Sequence, residues 1–282
     1  MVASSQTRFA PESLAAALQL LAAETLPPLT PYAGGTDLMA KEGNNGPFVF
    51  LHKIPELKAF RAVGDVLHIG AGLTFSQLLR QPEAPAVLKE AIAQIAAPAV
   101  RNLATLGGNI ANASPKADGA LVAYAAEAKL LLASYRRGQR LVALTDFYLG
   151  RNKTIRRPDE LIVEVQLPTA HLDGARFIKV GARAALAISR VSLAGLLALD
   201  DDGLVAHASL AFGAVGDVFI RYPELDGLFL GQSRATALLI VEQYLERLAE
   251  KIEPKGGRVS AEYRKLVCIR LARWFLLSRL GG

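Results

Sequence analysis

The chain has 282 residues, 51% of them apolar, and a formal net charge of +6. That length and apolar share are enough for a substantial core, in two compact domains or one large one. Its one cysteine, Cys268, excludes an internal disulfide, a cysteine-rich zinc site or an iron–sulfur cluster built from this chain's own thiols. The mean hydropathy is +0.26. Even so, no stretch approaches the ~20 uninterrupted apolar residues of a membrane helix, and the most apolar runs, 191–199 and 238–241, are far too short. Residues 1–6 lack the basic start and apolar stretch of a signal peptide. The expectation is a cytoplasmic protein with no membrane insertion. His52, His68, His171 and His207 are scattered without ligand-like spacing, so no metal site is expected.

In chain order, residues 11–24 read as an amphipathic helix with Pro11 in the first turn and Leu14, Leu18 and Leu21 on one face. A short strand and a glycine turn follow at 31–38, then strands at 48–54 and 66–72. Thr74 can cap a short helix through Arg80, and 84–96 continues as a second helix. Residues 98–117 are rich in Gly, Asn, Ser and Pro and lack either periodicity, which predicts an ordered functional loop. Asp118 can cap a helix through Ala128, and 129–134 with 140–144 form a hairpin around Gly138. Leu161, Val163, Val165 and Leu167 alternate as in a strand.

Residues 168–174 are the best linker candidate. Three longer strands follow at 177–183, 191–199 and 204–214, the last two joined by Asp200-Asp201-Asp202-Gly203. Those aspartates read as an Asp-Gly hairpin turn, against the alternative of a cation site. Two helices close the chain. The first buries Leu238, Val241, Leu245, Leu248 and Ile252; the second begins near Ser260 and buries Tyr263, Val267, Leu271 and Trp274. Cys268 lies in that pattern and reads as a buried thiol. The mixture of strands and helices without a βαβ rhythm predicts an α+β fold. Basic residues gather at 136–140 and 151–157, either to attract an anionic cofactor or acidic partner or as a solvated hairpin and loop. No aromatic-interleaved basic stripe points to nucleic acid.

The chemistry sits in two glycine turns, Ala33-Gly34-Gly35-Thr36-Asp37-Leu38 and Thr105-Leu106-Gly107-Gly108-Asn109-Ile110. Paired glycines let successive backbone N–H groups converge on one oxyanion, and Thr36, Thr105 and Asn109 add side-chain donors. Neither turn is a Rossmann fingerprint or a P-loop. Singly, each is weak evidence, since a tight structural turn is the commoner explanation. Together they favour a bound anion, and two such turns facing each other suit the pyrophosphate of a dinucleotide.

These residues, with Ile95-Ala96-Ala97-Pro98, the run from Val100-Arg101-Asn102 to Ala113-Ser114-Pro115, and Ala117-Asp118, resemble the flavoprotein subunit of the molybdenum hydroxylases. That group includes xanthine dehydrogenase, carbon monoxide dehydrogenase and 4-hydroxybenzoyl-CoA reductase. Residues 177–183, 187–191 and 260–264 resemble the family's C-terminal region, so the likeness covers nearly the whole chain. It implies an FAD-binding domain of the vanillyl-alcohol oxidase (PCMH) type in two subdomains at 1–170. An antiparallel sheet-and-helix domain of the CO dehydrogenase flavoprotein C-terminal type follows at 171–282.

The resemblance further implies non-covalent FAD, its pyrophosphate held by Ala33, Gly34, Gly35, Thr36, Asp37 and Leu38 and by Thr105, Gly107, Gly108 and Asn109. Asp118 would bind toward the ribose or adenine, Ile95 and Ile162 would line the flavin, and Lys179 would lie near it. On the residues alone, Ile95 and Ile162 are ordinary core and Lys179 an ordinary lysine. The chain departs from the family pattern at Leu121, where many members have proline, and near Ala187, where the usual acidic residue is missing. No cysteine cluster marks the iron–sulfur insertion of the benzoyl-CoA reductase branch.

The implied role is electron transfer with no catalytic acid or base from this chain: electrons arrive from [2Fe-2S] clusters and leave to NAD+ or another acceptor. Clusters and molybdopterin would belong to an iron–sulfur subunit and a molybdopterin-binding subunit of a heterotrimer. Xanthine or another purine is the expected substrate of such a complex, ahead of CO, nicotinate or aldehydes. The alternatives are a self-sufficient FAD oxidase or reductase and a binding subunit that has lost FAD.

Overall fold

The computed structural model describes residues 8–40 and 46–281; residues 1–6, read above for a signal peptide, lie outside them. The chain opens with β1 (Arg8–Phe9), α1 (Leu14–Leu21), β2 (Thr30–Tyr32), β3 (Phe48–Phe50), β4 (Phe60–Val63), β5 (Val66–Gly70) and α2 (Phe75–Arg80). Its middle holds α3 (Ala86–Ala93), α4 (Pro98–Arg101), α5 (Leu106–Ala111), α6 (Asp118–Ala125), β6 (Lys129–Ser134), β7 (Gly138–Ala143), β8 (Tyr148–Gly150) and β9 (Lys153–Thr154). The last part holds β10 (Glu160–Pro168), β11 (Arg176–Val180), β12 (Val191–Leu199), β13 (Val205–Gly213), α7 (Pro223–Asp226), α8 (Arg234–Lys251) and α9 (Ala261–Leu280). The class is α+β. Two compact units form, one from Met1–Glu83, Ala97–Ala113 and Ala128–Leu167, the other from Ala84–Ala96, Ser114–Glu127 and Pro168–Gly282.

The first unit combines a small parallel sheet, order β1-β3-β2, with a five-stranded sheet, order β4-β5-β10-β6-β7. Ala17, Leu18, Val49, Ile54, Leu57, Ala133, Leu161 and Val163 form one buried cluster there. Helix α1 begins later than expected, because the Ser13 side chain accepts from the Ala16 N–H and so caps at that point; Pro11 lies outside the helix. The strands expected at 48–54 and 66–72 are shorter, ending at Phe50 and Gly70, and the hairpin strand β4 carried no sequence signal. Thr74 makes a capping box with Gln77. Strand β10 is buried on both faces rather than alternately, Glu160 and Glu164 included.

Around β10 the basic hairpin is internally neutralised. Arg140 grips Glu160 through two bonds of 2.8 Å, the Arg157 N–H donates to the same carboxylate at 2.7 Å, and Arg137 pairs with Asp159. Arg136 reaches Glu24, and Arg156 donates to the Glu160 carbonyl. Of the two readings of the basic residues, the structural one holds for these. Arg151 and Lys153 are exposed, with no acidic partner among the described residues.

In the second unit, β11, β12 and β13 form an antiparallel sheet. Asp200 Oδ1 accepts from the N–H groups of Asp202 and Leu204, and Gly203 has φ +76°, so the aspartates make a hairpin turn. Both faces of the sheet are covered: α6 packs on β12 and β13, while Leu193, Leu197, Leu210 and Phe212 join the cluster built with α8 and α9. Phe275 of α9 lies so close to β12 that a Cβ at Gly195 would be 2.8 Å from its ring. That contact fixes the rotation of α9. Its buried stripe is Arg264, Cys268, Ala272, Phe275, Leu276 and Leu280, and Tyr263 and Trp274, expected in the core, are exposed.

Two outcomes are expected. Cys268 is fully buried, which pushes its thiol up to about 12. A thiol-specific reagent at mildly alkaline pH should leave the native protein unlabelled and label one thiol per chain only after denaturation. For Glu160, burial raises the pKa, but the Arg140 fork and the Arg157 N–H outweigh it and hold the carboxylate below its ordinary 4.5. Its stabilisation is therefore present above that ordinary value and lost as pH falls through the depressed folded one. Glu160→Gln should lower stability by about 2 kcal/mol at neutral pH, and urea unfolding should show the gap to wild type closing in acid.

Candidate functional site

The first glycine turn leaves β2 at Ala33. The Gly35 carbonyl accepts from the Met39 N–H at 2.8 Å, which closes a single helical turn. The leading amides of any helical turn have no acceptor within it. Here the N–H groups of Gly34, Gly35, Thr36 and Asp37 have no acceptor among the described residues. Gly35 has φ +69°, the left-handed region that favours glycine. At Gly34 the reason for glycine differs: a Cβ there would sit inside the Leu103 carbonyl. Two main chains touch at that point.

The second turn is not the loop its composition suggested. Gly107 and Gly108 lie in the first turn of α5, whose N-cap is Thr105. Its leading amides are all taken. Leu106 N–H donates to Leu73 O at 3.3 Å, Gly107 N–H to Ala71 O at 3.0 Å, and Gly108 N–H to Thr105 Oγ1 at 3.0 Å. Asn109 N–H donates to Thr105 O at 2.9 Å. The expectation of a second open amide cradle is therefore corrected, because the loop at 71–73 is stapled onto the helix start. Gly107 is required by that staple, since a Cβ would be 2.6 Å from Ala71 O. Gly108 faces the other way. A Cβ there would meet only Thr105 Oγ1 at 3.0 Å and Ala33 Cβ at 3.9 Å.

The two turns are thus brought together: Gly34 against Leu103, and Gly108 facing Ala33. Ala71 also ties them to β10, since its N–H donates to Val163 O at 2.9 Å, next to the buried Ile162. The far end of α5 is held by Asn152, which donates from its N–H to Ala113 O and from Nδ2 to Asn112 O. Nothing in the sequence marked that anchor.

In the second unit, Asp118 occupies the first turn of α6 but does not cap it; Ala117 is the N-cap residue. Its carboxylate accepts from Lys179 Nζ on β11 at 2.7 Å and from Ser189 Oγ at 2.7 Å. Lys179 Nζ also donates to Gln94 O at 3.1 Å, beside the half-buried Ile95. All three polar side chains are buried. Burial pushes the Asp118 carboxyl up, while Lys179 and Ser189 pull it back. Asp118 and Lys179 were expected separately and meet as a pair. Ser189 was missed, though it lies inside the 187–191 segment that carried the resemblance.

Two family models match the chain: FAD binding domain in molybdopterin dehydrogenase over residues 4–170, and CO dehydrogenase flavoprotein C-terminal domain over residues 176–278. A nicotinate dehydrogenase FAD-subunit of Eubacterium barkeri is 32% identical over 235 residues, covering 79% of each chain. A xanthine dehydrogenase FAD-binding subunit of Escherichia coli O157:H7 is 32% identical over 265 residues, covering 89% of this chain and 88% of the relative. Among solved structures, a reconstituted CO dehydrogenase from Oligotropha carboxidovorans superposes with a TM-score of 0.86 at 25% identity, covering 97% of both chains. With a family model matched over more than half its length, this chain belongs to the FAD-binding subunits of the molybdenum hydroxylases and is an oxidoreductase subunit.

Proposed function

We propose that this chain holds FAD without a covalent bond and serves as the electron-relay subunit of a xanthine dehydrogenase-type complex. The observation that carries this reading is that four N–H groups, Gly34 to Asp37, have no acceptor among the described residues, while the side-chain-free face of Gly108 lies toward the neighbouring Ala33. Such an arrangement suits a diphosphate: fixed amide dipoles on one wall and bare backbone on the other. Ala33 to Leu38 would supply the donors, while Thr105, Gly107, Gly108 and Asn109 form the opposing wall. The Thr105 oxygen accepts from Gly108, which leaves its own proton to donate. Ile162 and Ile95 would border the isoalloxazine, Asp118 would serve the ribose or adenine end, and Lys179 would lie near the flavin. Lys179 spends two of its three donors on Asp118 and Gln94.

When bound, FAD supplies the redox chemistry, taking electrons from [2Fe-2S] clusters and passing them to NAD+ or another acceptor. The chain's own residues bind and orient it. They need provide no general acid or base. The lone thiol is buried, and among the described residues no three His, Cys, Asp or Glu side chains gather as a metal site would require. We assign the clusters and molybdopterin to two partner chains of a cytoplasmic heterotrimer, with a purine such as xanthine oxidised on the molybdenum chain. No helix among the described residues is long and apolar enough to cross a membrane. We take residues 1–170 as the FAD-binding domain and 171–282 as the C-terminal domain.

Two glycine substitutions separate scaffold from site. Gly107→Ala drives a methyl into the Ala71 main chain and should cost about 3 kcal/mol of stability. Gly108→Ala gains up to about 1 kcal/mol of helix propensity against one tight contact with Thr105, so its Tm should stay near wild type. Its methyl should nonetheless weaken FAD about tenfold or more, read by fluorescence quenching when FAD is titrated into apoprotein. Unchanged affinity in Gly108→Ala would remove the diphosphate from this wall. Purified alone, the chain should keep its flavin yet not be reduced by xanthine; co-expressed with cluster and molybdopterin chains, it should elute with them. Bleaching of the lone chain by a purine would identify a self-sufficient enzyme instead.

A further inference from the structure

We infer that the exposed face of α9 is a docking surface for a partner polypeptide that presents an apolar ridge bordered by carboxylates. Tyr263 (41% exposed), Leu266 (47%), Trp274 (53%) and Leu277 (43%) follow one another at steps of three, eight and three residues. With Arg270 they form one stripe along about four turns of the helix. On α8, Leu239 is 83% exposed and lies one turn from Glu242, which pairs with Arg273 of α9, so it extends the apolar face. Apolar side chains scattered singly over a surface need no explanation, but an aligned aromatic-rich set this long does.

Charge decides what covers it. Among the described residues Arg270 has no acidic partner, and it stands midway between Tyr263 and Leu277. A second copy of this chain, docking through a twofold axis across the stripe, would set Arg270 against its own counterpart. An isologous interface must complement itself, and like charges at its centre oppose it. A carboxylate-bordered partner instead meets Arg270 and packs against Trp274, the residue types that dominate binding energy. This inference rests on the reading of the chain as one subunit of a complex, and it places one of the subunit's contacts on the second unit.

The test uses the co-expressed complex. Trp274→Ser, Leu266→Ser and Arg270→Glu should each bind FAD as wild type does, yet weaken assembly about tenfold or more, read by size exclusion and by titrating partner chains into the flavoprotein. Val63→Ser, at another exposed apolar position, should assemble normally. If wild type assembles and all three α9 variants assemble equally well, the docking surface is overturned while the subunit reading stands. If wild type itself does not assemble, both fall. A wild-type homodimer that the α9 variants dissolve, or loss of binding to anionic vesicles in place of assembly, would also overturn it, in favour of a second copy or a lipid surface.

Discussion

The first unit depends on main chains that touch where no side chain can fit. Leu103 presses on Gly34, and Ala71 presses on Gly107, so segments far apart in sequence meet backbone to backbone. A side chain at either glycine would have to displace a peptide unit, which a close-packed interior does not allow without moving a strand or a helix. The Ala71 contact is also a hydrogen bond, and with Leu73 and Thr105 it satisfies the start of α5 internally. The helix end therefore needs no ligand to be stable. On the other side, the N–H groups of Gly34 to Asp37 have no acceptor among the described residues. The result is a preformed asymmetry, with open N–H groups on one side and bare backbone on the other, and for the proposed cofactor such preorganisation would lower the cost of binding.

That asymmetry bounds what could be read from the sequence. Both Gly-Gly pairs were legible as sites where backbone must come close, and that the two turns meet was legible as well. Their different jobs were not. The same dipeptide is a donor turn at 34–35 and a packing hinge at 107–108, because the acceptors that consume the second set of amides belong to Ala71 and Leu73. Helix α5 was hidden for a related reason. Six residues with two glycines and an asparagine have poor intrinsic helicity, and what holds them is the Thr105 cap and the two staples.

The second unit was legible in its strands and less so in its helix faces. The three long strands and the Asp-Gly turn follow from alternation and turn chemistry. Helix α9 was misread because large apolar residues were assigned to the core. Close contact with β12 instead selects small residues, Cys268 and Ala272, together with Phe275 in the space left by Gly195. Tyr263 and Trp274 are turned outward as a consequence. Asp118 shows the same limit: first-turn position suggested a cap, but a lysine and a serine from beyond residue 178 claim both carboxylate oxygens.

Charge shows the same division between inside and outside. The chain carries +6 overall, yet Arg136, Arg137, Arg140 and Arg157 are matched by Glu24, Asp159 and Glu160, Arg221 by Glu127 and Asp226, and Lys179 by Asp118. The clustered arginines therefore stabilise a hairpin and project little field. Affinity for a diphosphate would come from oriented amides held in place by the backbone contacts, and such dipoles act at contact range and cost little to orient. Among the described residues, Arg151, Lys153 and Arg270 are examples of exposed cations without an acidic partner, open to a partner's carboxylates. Backbone would thus serve the cofactor, and exposed side-chain charge would serve the proposed assembly, which suits a subunit whose redox chemistry is brought in by FAD.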